Sequence, residues 1–334
     1  MALHILEQVP LAPFTTMHVG GNARFFVRVK SIEDLQESIL FARAKNLSIF
    51  ILGSGSNILV SGDGYSGLVI KIELKGITYE NSRVTAGAGE VWDEVVRGVV
   101  QYNLWGIENL SLVPGTVGGA SVQNIGAYGV EACDTIFSVE ALDTETMQIK
   151  TFLRKECEFG YRESIFKKNK NLIVVSVSFE LTENGVPRVD YEDVKKYFEK
   201  KKVIVSTLVE IREAIVAIRT RKMPAPSIGT AGSFFKNPIV EVSQYEALKI
   251  QFPGIKAYPQ GDSTIKLSAA WLLDHVGKWC GVRRGDAGVY EKQALILVNY
   301  GKATAEEILS LAHEMRCDIK EKTNVLLEEE VVML

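Results

Sequence analysis

The chain has 334 residues, of which 46% are apolar, and its formal net charge is −3. This length predicts two or three domains, and the apolar content is sufficient for their cores. The slight excess of acidic residues argues against nucleic-acid and membrane-surface binding, although a local basic cluster could still serve a phosphorylated substrate.

The start of the chain and its cysteines exclude further classes of protein. Residues 1–16 have neither the basic segment nor the apolar core of a secretion signal, and no run reaches the ~18 apolar residues of a membrane span. We therefore expect a cytoplasmic protein without a membrane partner. The cysteines are scattered, without C-x-x-C or histidines at ligand spacing, which predicts reduced structural thiols and no metal site.

Residues 19–72 alternate short strand patterns with one helical pattern, which predicts a small βαβ-like unit. Leu35 and Ile39 fall on one helical face, which indicates a helix. Ser31 is expected to cap its start, and the helix should end near Asn46.

A first glycine loop lies between the apolar runs 49–52 and 58–60. Such a turn offers backbone N–H groups and polar side chains that can hold phosphate oxygens. The third glycine of G-x-G-x-x-G is missing, no helical pattern follows, and no P-loop motif occurs, which disfavours a nicotinamide domain and a P-loop NTPase. The loop consists of Gly53, Ser54, Gly55, Ser56 and Asn57.

From about residue 76 to 184 the pattern is rich in strands, with one helix near 91–101, which indicates an α+β domain. The predicted strands are 84–86, 136–142, 148–153 and 172–181.

A second glycine loop at 106–130 carries six glycines, which argues against a helix or a plain strand. Gly115, Gly118 and Gly119 allow the backbone to approach a ligand closely, and Asn124 and Tyr128 add hydrogen-bonding groups. A tight loop of turns is an equally open interpretation when this segment is taken alone. Together, the two loops suggest a long ligand with a pyrophosphate group, held extended between strands.

The rest of the chain begins with a lysine-rich segment, 183–202, which is typical of a solvated helix face or a linker. A helix over 207–219 should end before the prolines at 224 and 226, which mark a domain junction. A third unit then follows, with helices near 243–251, 267–276 and 305–318 and a strand at 294–300.

Ser233 lies in the segment GTAGSFFKNP. Ala231 and Phe235 stand where the hydrolase motif G-x-S-x-G needs glycines, so a serine nucleophile is disfavoured and a proton donor beside a ligand fits better. A loop serine taken alone is more often a turn or cap residue.

Two sites with charged side chains each have an ordinary structural interpretation as well as a functional one. Arg162 could clamp a carboxylate with its guanidinium, or it could form a surface ion pair with Glu163. Glu328, Glu329 and Glu330 interrupt an apolar C-terminal strand, so alternation should turn one carboxylate inward, unless the three form a solvated acidic edge.

Taken together, these segments resemble one family along nearly the whole chain, the bacterial UDP-N-acetylenolpyruvylglucosamine reductases. The most specific pieces are PGTVGGASVQNIGAYGVE and GSFFKNP. The matching segments occur in the family's order, at 53–57, 115–128, 161–167, 222–224, 232–238, 258–266 and 327–331.

The resemblance implies an α+β fold with a two-part FAD-binding module of the vanillyl-alcohol-oxidase (PCMH) type and a C-terminal α+β substrate-binding domain. FAD should be bound non-covalently, because no histidine or cysteine lies between His18 and Cys133 to tether it. The expected boundaries are 1–72 plus 323–334 and 73–206 for the two FAD-binding subdomains, and 207–322 for the substrate domain.

The resemblance also assigns cofactor contacts. Pyrophosphate and ribityl contacts fall on the first glycine loop, residues 53–57. Further flavin contacts fall on Pro114, Gly115, Gly118, Gly119, Asn124, Gly126, Ala127 and Tyr128.

The implied reaction begins when NADPH, the co-substrate, reduces the flavin and leaves. UDP-N-acetylglucosamine enolpyruvate then binds, and flavin N5 delivers a hydride to its terminal methylene carbon. Arg162 and Glu330 match residues that stabilise the enolic intermediate, and Ser233 matches the residue that protonates it. The UDP-sugar would be held by Tyr191, Lys222, Asn237, Tyr258, Lys266 and Gln293.

Tyr191 matches the substrate-covering loop of the longer class of these enzymes, and we expect a monomer. One departure concerns the family motif L-E-x-E-V-R, where Val332 replaces the arginine, so a flavin contact from that position would be lost. The choice of Glu330 over Glu328 or Glu329 depends on the register of this motif. Two alternatives stay open: an FAD-linked oxidase or dehydrogenase of the same fold that acts on an alcohol or hydroxy acid, and an inactive nucleotide-sugar-binding protein.

Overall fold

The structure, a computed structural model, describes residues 3–205, 207–261 and 263–334. Its contacts divide the chain into two compact units. The three-part boundaries expected from the sequence are a different division and stay a prediction. Unit 1 consists of Met1–Val9, Ala23–Ser54 and Ser66–Arg221, and unit 2 consists of Pro10–Asn22, Gly55–Tyr65 and Lys222–Leu334.

A four-stranded sheet forms the first layer of unit 1. Its helix, Ile32–Ala44, begins where Ser31 and Asp34 form a reciprocal capping box, as the sequence predicts. Ile49–Leu52 pairs in parallel with Tyr65–Ile72, so the segment between them must cross over the sheet. The strand order is Leu6–Pro10, Asn22–Val29, Tyr65–Ile72 and Ile49–Leu52.

A five-stranded antiparallel sheet forms the second part of unit 1. Four of its strands match the predicted positions within about two residues. Three of them bury most of their apolar side chains in one core, whereas the edge strand Gln148–Leu153 is largely exposed. The strand order is Gln148–Leu153, Ile136–Asp143, Leu172–Glu180, Arg83–Gly87 and Ile77–Glu80.

The helices of unit 1 bury apolar faces. Val95, Val96 and Val99 of one helix are buried in the main core, and Trp92 there donates from Nε1 to the Leu110 carbonyl at 3.0 Å. These helices are Ile32–Ala44, Trp92–Gln101, Val117–Val122, Ile165–Lys168, Glu192–Lys201 and Leu208–Lys222, with 3-10 turns at Glu108–Leu110, Ala132–Asp134 and Arg154–Cys157.

Unit 2 is a mixed domain built on two small sheets and a long C-terminal helix. Thr304 and Glu307 form a capping box at the start of Ala305–Thr323. One sheet has the order Gly229–Ser233, Ile296–Asn299, Ala287–Val289 and Arg283–Arg284; the other has Ile239–Glu241, Thr264–Leu267 and Ala257–Gln260. The remaining elements are the 3-10 turn Ala12–Phe14, the helices Val242–Gln251 and Ala269–Trp271, and the π-helical turn Leu272–Val276.

Two strand pairs are short. Gly126–Ala127 pairs with Val130–Glu131 within the second glycine loop, and Ile58–Leu59 pairs in parallel with Val332–Met333. The second pair joins the end of the chain to the strand that follows the first glycine loop.

The second glycine loop corrects one expectation, because it contains the helix Val117–Val122. The Thr116 hydroxyl caps this helix by accepting from the Gly119 N–H at 3.3 Å. Gly118 is needed for packing rather than for a turn, since a Cβ there would lie 2.9 Å from the Ala88 Cβ. The glycines that indicated a loop in the sequence therefore allow close helix packing.

Ser233 is also placed differently from the loop position expected, because it ends the strand Gly229–Ser233. In the part of the chain that the structure describes, no helix has the length and apolar character to cross a membrane.

A half-buried ion pair joins two helices of unit 1. Both Nη atoms of Arg212 lie 2.8 Å from the Asp93 carboxylate, which also accepts from the Leu112 N–H at 2.6 Å. Burial acts to raise the pKa of Asp93, but the hydrogen bonds from Arg212 and Leu112 outweigh it and leave the pKa below its usual value.

We expect Arg212→Met to lower the free energy of unfolding by about 2 kcal/mol at pH 7, because it leaves a half-buried carboxylate without its partner. Since the pKa of Asp93 is depressed in the folded state, this difference should be present above the unfolded pKa of about 4 and should shrink as the pH falls through the folded pKa. Urea denaturation over a pH series measures it.

The matched control is Arg97→Met, which removes an exposed pair with Glu94 on one of the same helices and should cost less than about 0.5 kcal/mol. A loss from Arg212→Met that stays constant from pH 7 to pH 2 would contradict the role given to Asp93.

Candidate functional site

In unit 1 the first glycine loop meets the second. A Cβ on Gly53 would lie 2.9 Å from Thr116 Oγ1, so a side chain at Gly53 would separate the two loops. Lys71 holds the Gly53 carbonyl, donating from Nζ at 2.9 Å, and its burial lowers its pKa. Glycine at position 53 is therefore required by the close approach of the loops.

The two glycine loops contain three buried polar atoms without a hydrogen-bond partner. Within the described residues, the buried side-chain atoms that lack a hydrogen-bond partner are Ser54 Oγ, Asn109 Oδ1 and Gln123 Nε2. Ser54 is in the first loop and the other two are in the second. Buried polar atoms are nearly always paired in native proteins, so these two loops fit a polar ligand that supplies the missing partners.

The second loop is shaped by left-handed backbone and by Asn124. Asn124 and Tyr128 have φ values of 42° and 50°. The Asn124 side chain donates to Glu131 at 3.0 Å and to the Gly160 carbonyl at 2.9 Å, and accepts from the Cys133 N–H at 3.0 Å. Asn124 thus holds the loop together, and its contact with a flavin stays a prediction.

Arg162 is attached to the same loop. It donates from Nη2 to the Gly126 carbonyl at 2.9 Å, and a Cβ on Gly126 would lie 2.9 Å from Nη1. Glu163, the partner considered from the sequence, forms an ion pair with Lys167 at 3.4 Å. Arg162 itself has a φ of 59°, a strained conformation for a residue with a side chain and one that occurs often at functional sites.

Tyr128 and Tyr191 also lie together in unit 1. Their rings meet edge to face, with centroids 5.4 Å apart. Burial raises the pKa of Tyr128, and the neighbouring Arg219 opposes this effect. Arg219 also donates to the Leu112 carbonyl at 3.2 Å, so the helix Leu208–Lys222 supports this loop through a residue that the sequence analysis missed.

In unit 2 the segment that carries Ser233 is joined to the C-terminal strand. The Glu330 N–H donates to the Phe234 carbonyl at 2.8 Å, and the Lys236 N–H donates to the Glu328 carbonyl at 2.8 Å. Phe234 and Phe235 are fully buried, while Ser233 is exposed beside them. These bonds bring the Ser233 and Glu330 segments into direct contact.

The three glutamates of this strand have different environments. Glu328 is 69% exposed, with Lys236 at 3.6 Å, whereas Glu329 forms an ion pair with Arg316 at 2.9 Å. Asn57 donates from Nδ2 to the Glu330 carbonyl at 3.1 Å. Glu328 and Glu329 thus each lie near a basic side chain, and the choice of Glu330 as the functional carboxyl group stays a prediction.

The residues expected to hold a substrate lie on several elements of unit 2. Lys266 pairs across the three-stranded sheet with Tyr258. Asn237 accepts from the Ala269 N–H at 3.0 Å. Gln293 accepts at its carbonyl from the N–H of Ile296, the strand partner of Ser233. Lys222 begins the C-terminal segment of the unit.

The predicted site residues are thus divided. Unit 1 contains Gly53, Ser54, Pro114, Gly115, Gly118, Gly119, Asn124, Gly126, Ala127, Tyr128, Arg162 and Tyr191; unit 2 contains Gly55, Ser56, Asn57, Lys222, Ser233, Asn237, Tyr258, Lys266, Gln293 and Glu330. Residues that the sequence analysis missed are Lys71, Thr116, Arg219 and Arg316. Thr116 lies within the segment PGTVGGASVQNIGAYGVE but was given no role, and no motif in the sequence marks the other three.

Comparison with known proteins identifies the family. Residues 23–151 match the family model of an FAD binding domain, and residues 223–334 match the C-terminal domain of UDP-N-acetylenolpyruvoylglucosamine reductase. The chain is 41% identical to the UDP-N-acetylenolpyruvoylglucosamine reductase of Pseudomonas savastanoi pv. phaseolicola over 99% of both chains. The chain belongs to the UDP-N-acetylenolpyruvoylglucosamine reductase family.

Other reductases of this family agree. The Flavobacterium johnsoniae reductase is 40% identical over 98% of this chain and 99% of its own. The crystal structure of the reductase from Thermus caldophilus aligns with a TM-score of 0.70 at 26% identity, covering 100% of this chain and 99% of the other.

The family confirms the predicted fold and cofactor. The fold combines a PCMH-type FAD-binding module with the reductase C-terminal domain. The protein is an FAD-dependent oxidoreductase. The two glycine loops with their unpaired buried atoms fit FAD, since its pyrophosphate and ribityl groups offer both donors and acceptors.

We expect Ser54→Ala to have opposite effects with and without FAD. The FAD-free protein should gain about 1 kcal/mol of stability, because an unpaired buried hydroxyl is removed, while the dissociation constant for FAD should rise about tenfold. Thermal unfolding of FAD-free protein and fluorescence titration with FAD measure the two effects.

Ser48→Ala, which changes an exposed serine outside the glycine loops, is the control for the change from serine to alanine. If Ser54→Ala destabilised the FAD-free protein and left the FAD dissociation constant unchanged, the hydroxyl would have a structural role and the proposed ligand contact would be wrong.

Proposed function

We propose that the protein catalyses the NADPH-dependent reduction of UDP-N-acetylglucosamine enolpyruvate to UDP-N-acetylmuramate, a step in peptidoglycan precursor synthesis, as a cytoplasmic monomer. The observation that supports this most is the pairing of the Ser233 segment with the Glu330 strand. These backbone bonds hold together the two segments that carry Ser233 and Glu330, the residues assigned to protonating and stabilising a carbanion. Full-length similarity to reductases named for this substrate supports it independently.

The cofactor is held non-covalently by the two glycine loops in this proposal. When bound, FAD supplies hydride transfer, first from NADPH to the flavin and then from flavin N5 to the terminal methylene carbon of the enolpyruvyl group. Ser54 Oγ, Asn109 Oδ1 and Gln123 Nε2 are the candidate polar partners in unit 1.

Arg162 and Glu330 stabilise the charge that develops. As the hydride adds, the electron pair of the carbon–carbon double bond moves to the adjacent carbon and its carboxylate. A guanidinium stays charged at any working pH, and Arg162 is already oriented by its bond to Gly126, so little reorganisation is needed. Arg162 meets the requirement for a fixed positive group, whereas Glu330 is assigned by its match to the family motif and would have to donate a hydrogen bond from its carboxyl group to the developing negative charge.

Ser233 gives its hydroxyl proton to the adjacent carbon and regains one from solvent. A serine hydroxyl is a weak acid near neutral pH, but a carbanion has a much higher proton affinity, so the transfer is downhill. The strand that ends at Ser233 and the two buried phenylalanines after it fix the position of the hydroxyl.

The substrate's UDP-sugar is assigned to Tyr191, Lys222, Asn237, Tyr258, Lys266 and Gln293. Lys222 and Lys266 can offset the pyrophosphate charge, although the protein as a whole is slightly acidic. Tyr191 begins the helix Glu192–Lys201 and is 39% exposed, which suits a side chain that closes over a substrate. This assignment places the protein in the longer class of the family.

Val332 is the departure from the family motif. It pairs with Ile58, and its N–H donates to the Asn57 carbonyl at 3.0 Å, so the strand keeps its main-chain bonds without the arginine side chain. An intact strand favours an active enzyme over an inactive binding protein.

The test is anaerobic and uses the purified FAD-loaded protein. NADPH should bleach the flavin absorbance near ~450 nm, and UDP-N-acetylglucosamine enolpyruvate should restore it within one turnover. Reoxidation by oxygen alone would point to an oxidase, and protein that never acquires flavin absorbance would point to a binding protein.

In the same experiment we expect Ser233→Ala to leave flavin reduction by NADPH within about twofold of wild type and to slow reoxidation by substrate at least ~100-fold, because only the second half-reaction needs the proton. Ser227→Ala, which changes a serine outside the proposed machinery, is the control. Equal losses in both half-reactions would contradict the role given to Ser233.

A further inference from the structure

The peptide of Glu330 is held on both sides in unit 2. Its N–H donates to the Phe234 carbonyl at 2.8 Å, and its carbonyl accepts from Asn57 Nδ2 at 3.1 Å. The backbone N–H of Glu330 therefore has its partner, and its carbonyl oxygen uses one of its two lone pairs. One of these bonds leads to the Ser233 segment and the other leads to the first glycine loop.

Asn57 contacts this strand twice. Its side-chain amide donates to Glu330, and its carbonyl accepts from the Val332 N–H at 3.0 Å. The parallel pairing of Ile58 with Val332 begins immediately after it. Asn57 thus spans residues 330 to 332 and fixes their register at the point where the loop becomes a strand.

The register of the C-terminal strand decides which glutamate side chain points to a given side of the strand. Successive residues of an extended strand point to opposite sides, so a slip of one residue would replace Glu330 with Glu329 or Val331. The bond from the Asn57 side chain is specific for the Glu330 carbonyl, and the Arg316 pair with Glu329 favours the same register.

We propose that Asn57 is a positioning residue for Glu330: its side-chain amide locks the register of the C-terminal strand to the first glycine loop. An asparagine amide has two N–H groups, so this role is compatible with a cofactor contact. The inference rests on the proposed function of Glu330 and adds a residue whose effect on the chemistry is indirect.

The main test is hydrogen exchange at the Glu330 and Val332 amides in the full-length, FAD-loaded protein. Asn57→Ala should raise exchange at both amides about tenfold, since one hydrogen bond to a partly buried carbonyl is lost. Asn57→Leu, which keeps the branching at Cγ and lacks the donor, should behave like Asn57→Ala. Ser61→Ala alters the same chain segment, keeps the Asn57 amide, and should leave both amides protected.

The second measurement compares the rates of the two half-reactions, flavin reduction and flavin reoxidation. Asn57→Ala at saturating FAD should slow flavin reoxidation by UDP-N-acetylglucosamine enolpyruvate about tenfold while flavin reduction by NADPH changes less than about twofold. If a variant binds FAD poorly, hydrogen exchange is measured on the FAD-free variant and compared with that of the FAD-free wild-type protein.

Three outcomes would overturn the proposal: unchanged exchange at Glu330 and Val332 in Asn57→Ala, recovery of wild-type exchange by Asn57→Leu, or equal slowing of both half-reactions. Glu330→Gln separates this proposal from the proposed function. If that variant reoxidises at the wild-type rate, the role of Glu330 is wrong, whereas the exchange result for Asn57 still decides whether Asn57 fixes the strand.

Discussion

The hydrogen bond from the Glu330 N–H to the Phe234 carbonyl is the contact on which the proposed chemistry depends. It closes an antiparallel bridge between a strand end and the last residues of the chain, which are far apart in sequence. The bridge pairs Phe235 with Glu329, so Glu330 is one residue from it and Ser233 is two residues from it. Without it, neither the proton donor nor the carboxylate would have a fixed position, and electrostatic preorganisation requires fixed positions.

Unit 1 meets a different constraint, which is the close approach of two glycine loops. Gly53 and Gly118 have no room for side chains, and Lys71, Thr116 and Asn124 hold the loops by hydrogen bonds to backbone groups. Three buried polar atoms remain unpaired in these loops. A rigid backbone with unmatched polar atoms suits an extended polar cofactor; the family binds FAD, and the binding of FAD by these two loops stays a prediction.

Local signals in the sequence predicted the elements that local interactions determine. The cap at Ser31 and the strands Ile136–Asp143 and Gln148–Leu153 are in their predicted places. The helix Val117–Val122 was not predicted, because two of its glycines are explained only by tertiary packing on Ala88 and by a cap from Thr116. Arg219 and Arg316 were missed for the same reason, since neither belongs to a motif and their partners are set by the fold. The site residues themselves were identified through family motifs, and their individual roles stay predictions.

The central claim is that Ser233 and Glu330 act together on one intermediate, and a double-mutant cycle on single-turnover flavin reoxidation by UDP-N-acetylglucosamine enolpyruvate tests it most directly. The four proteins are wild type, Ser233→Ala, Glu330→Gln and the double variant, each reduced first by NADPH under anaerobic conditions. The account predicts that the double variant is less than about threefold slower than the slower single variant, because residues that act as a unit show strongly non-additive losses. A double variant whose loss equals the product of the two single losses would contradict it.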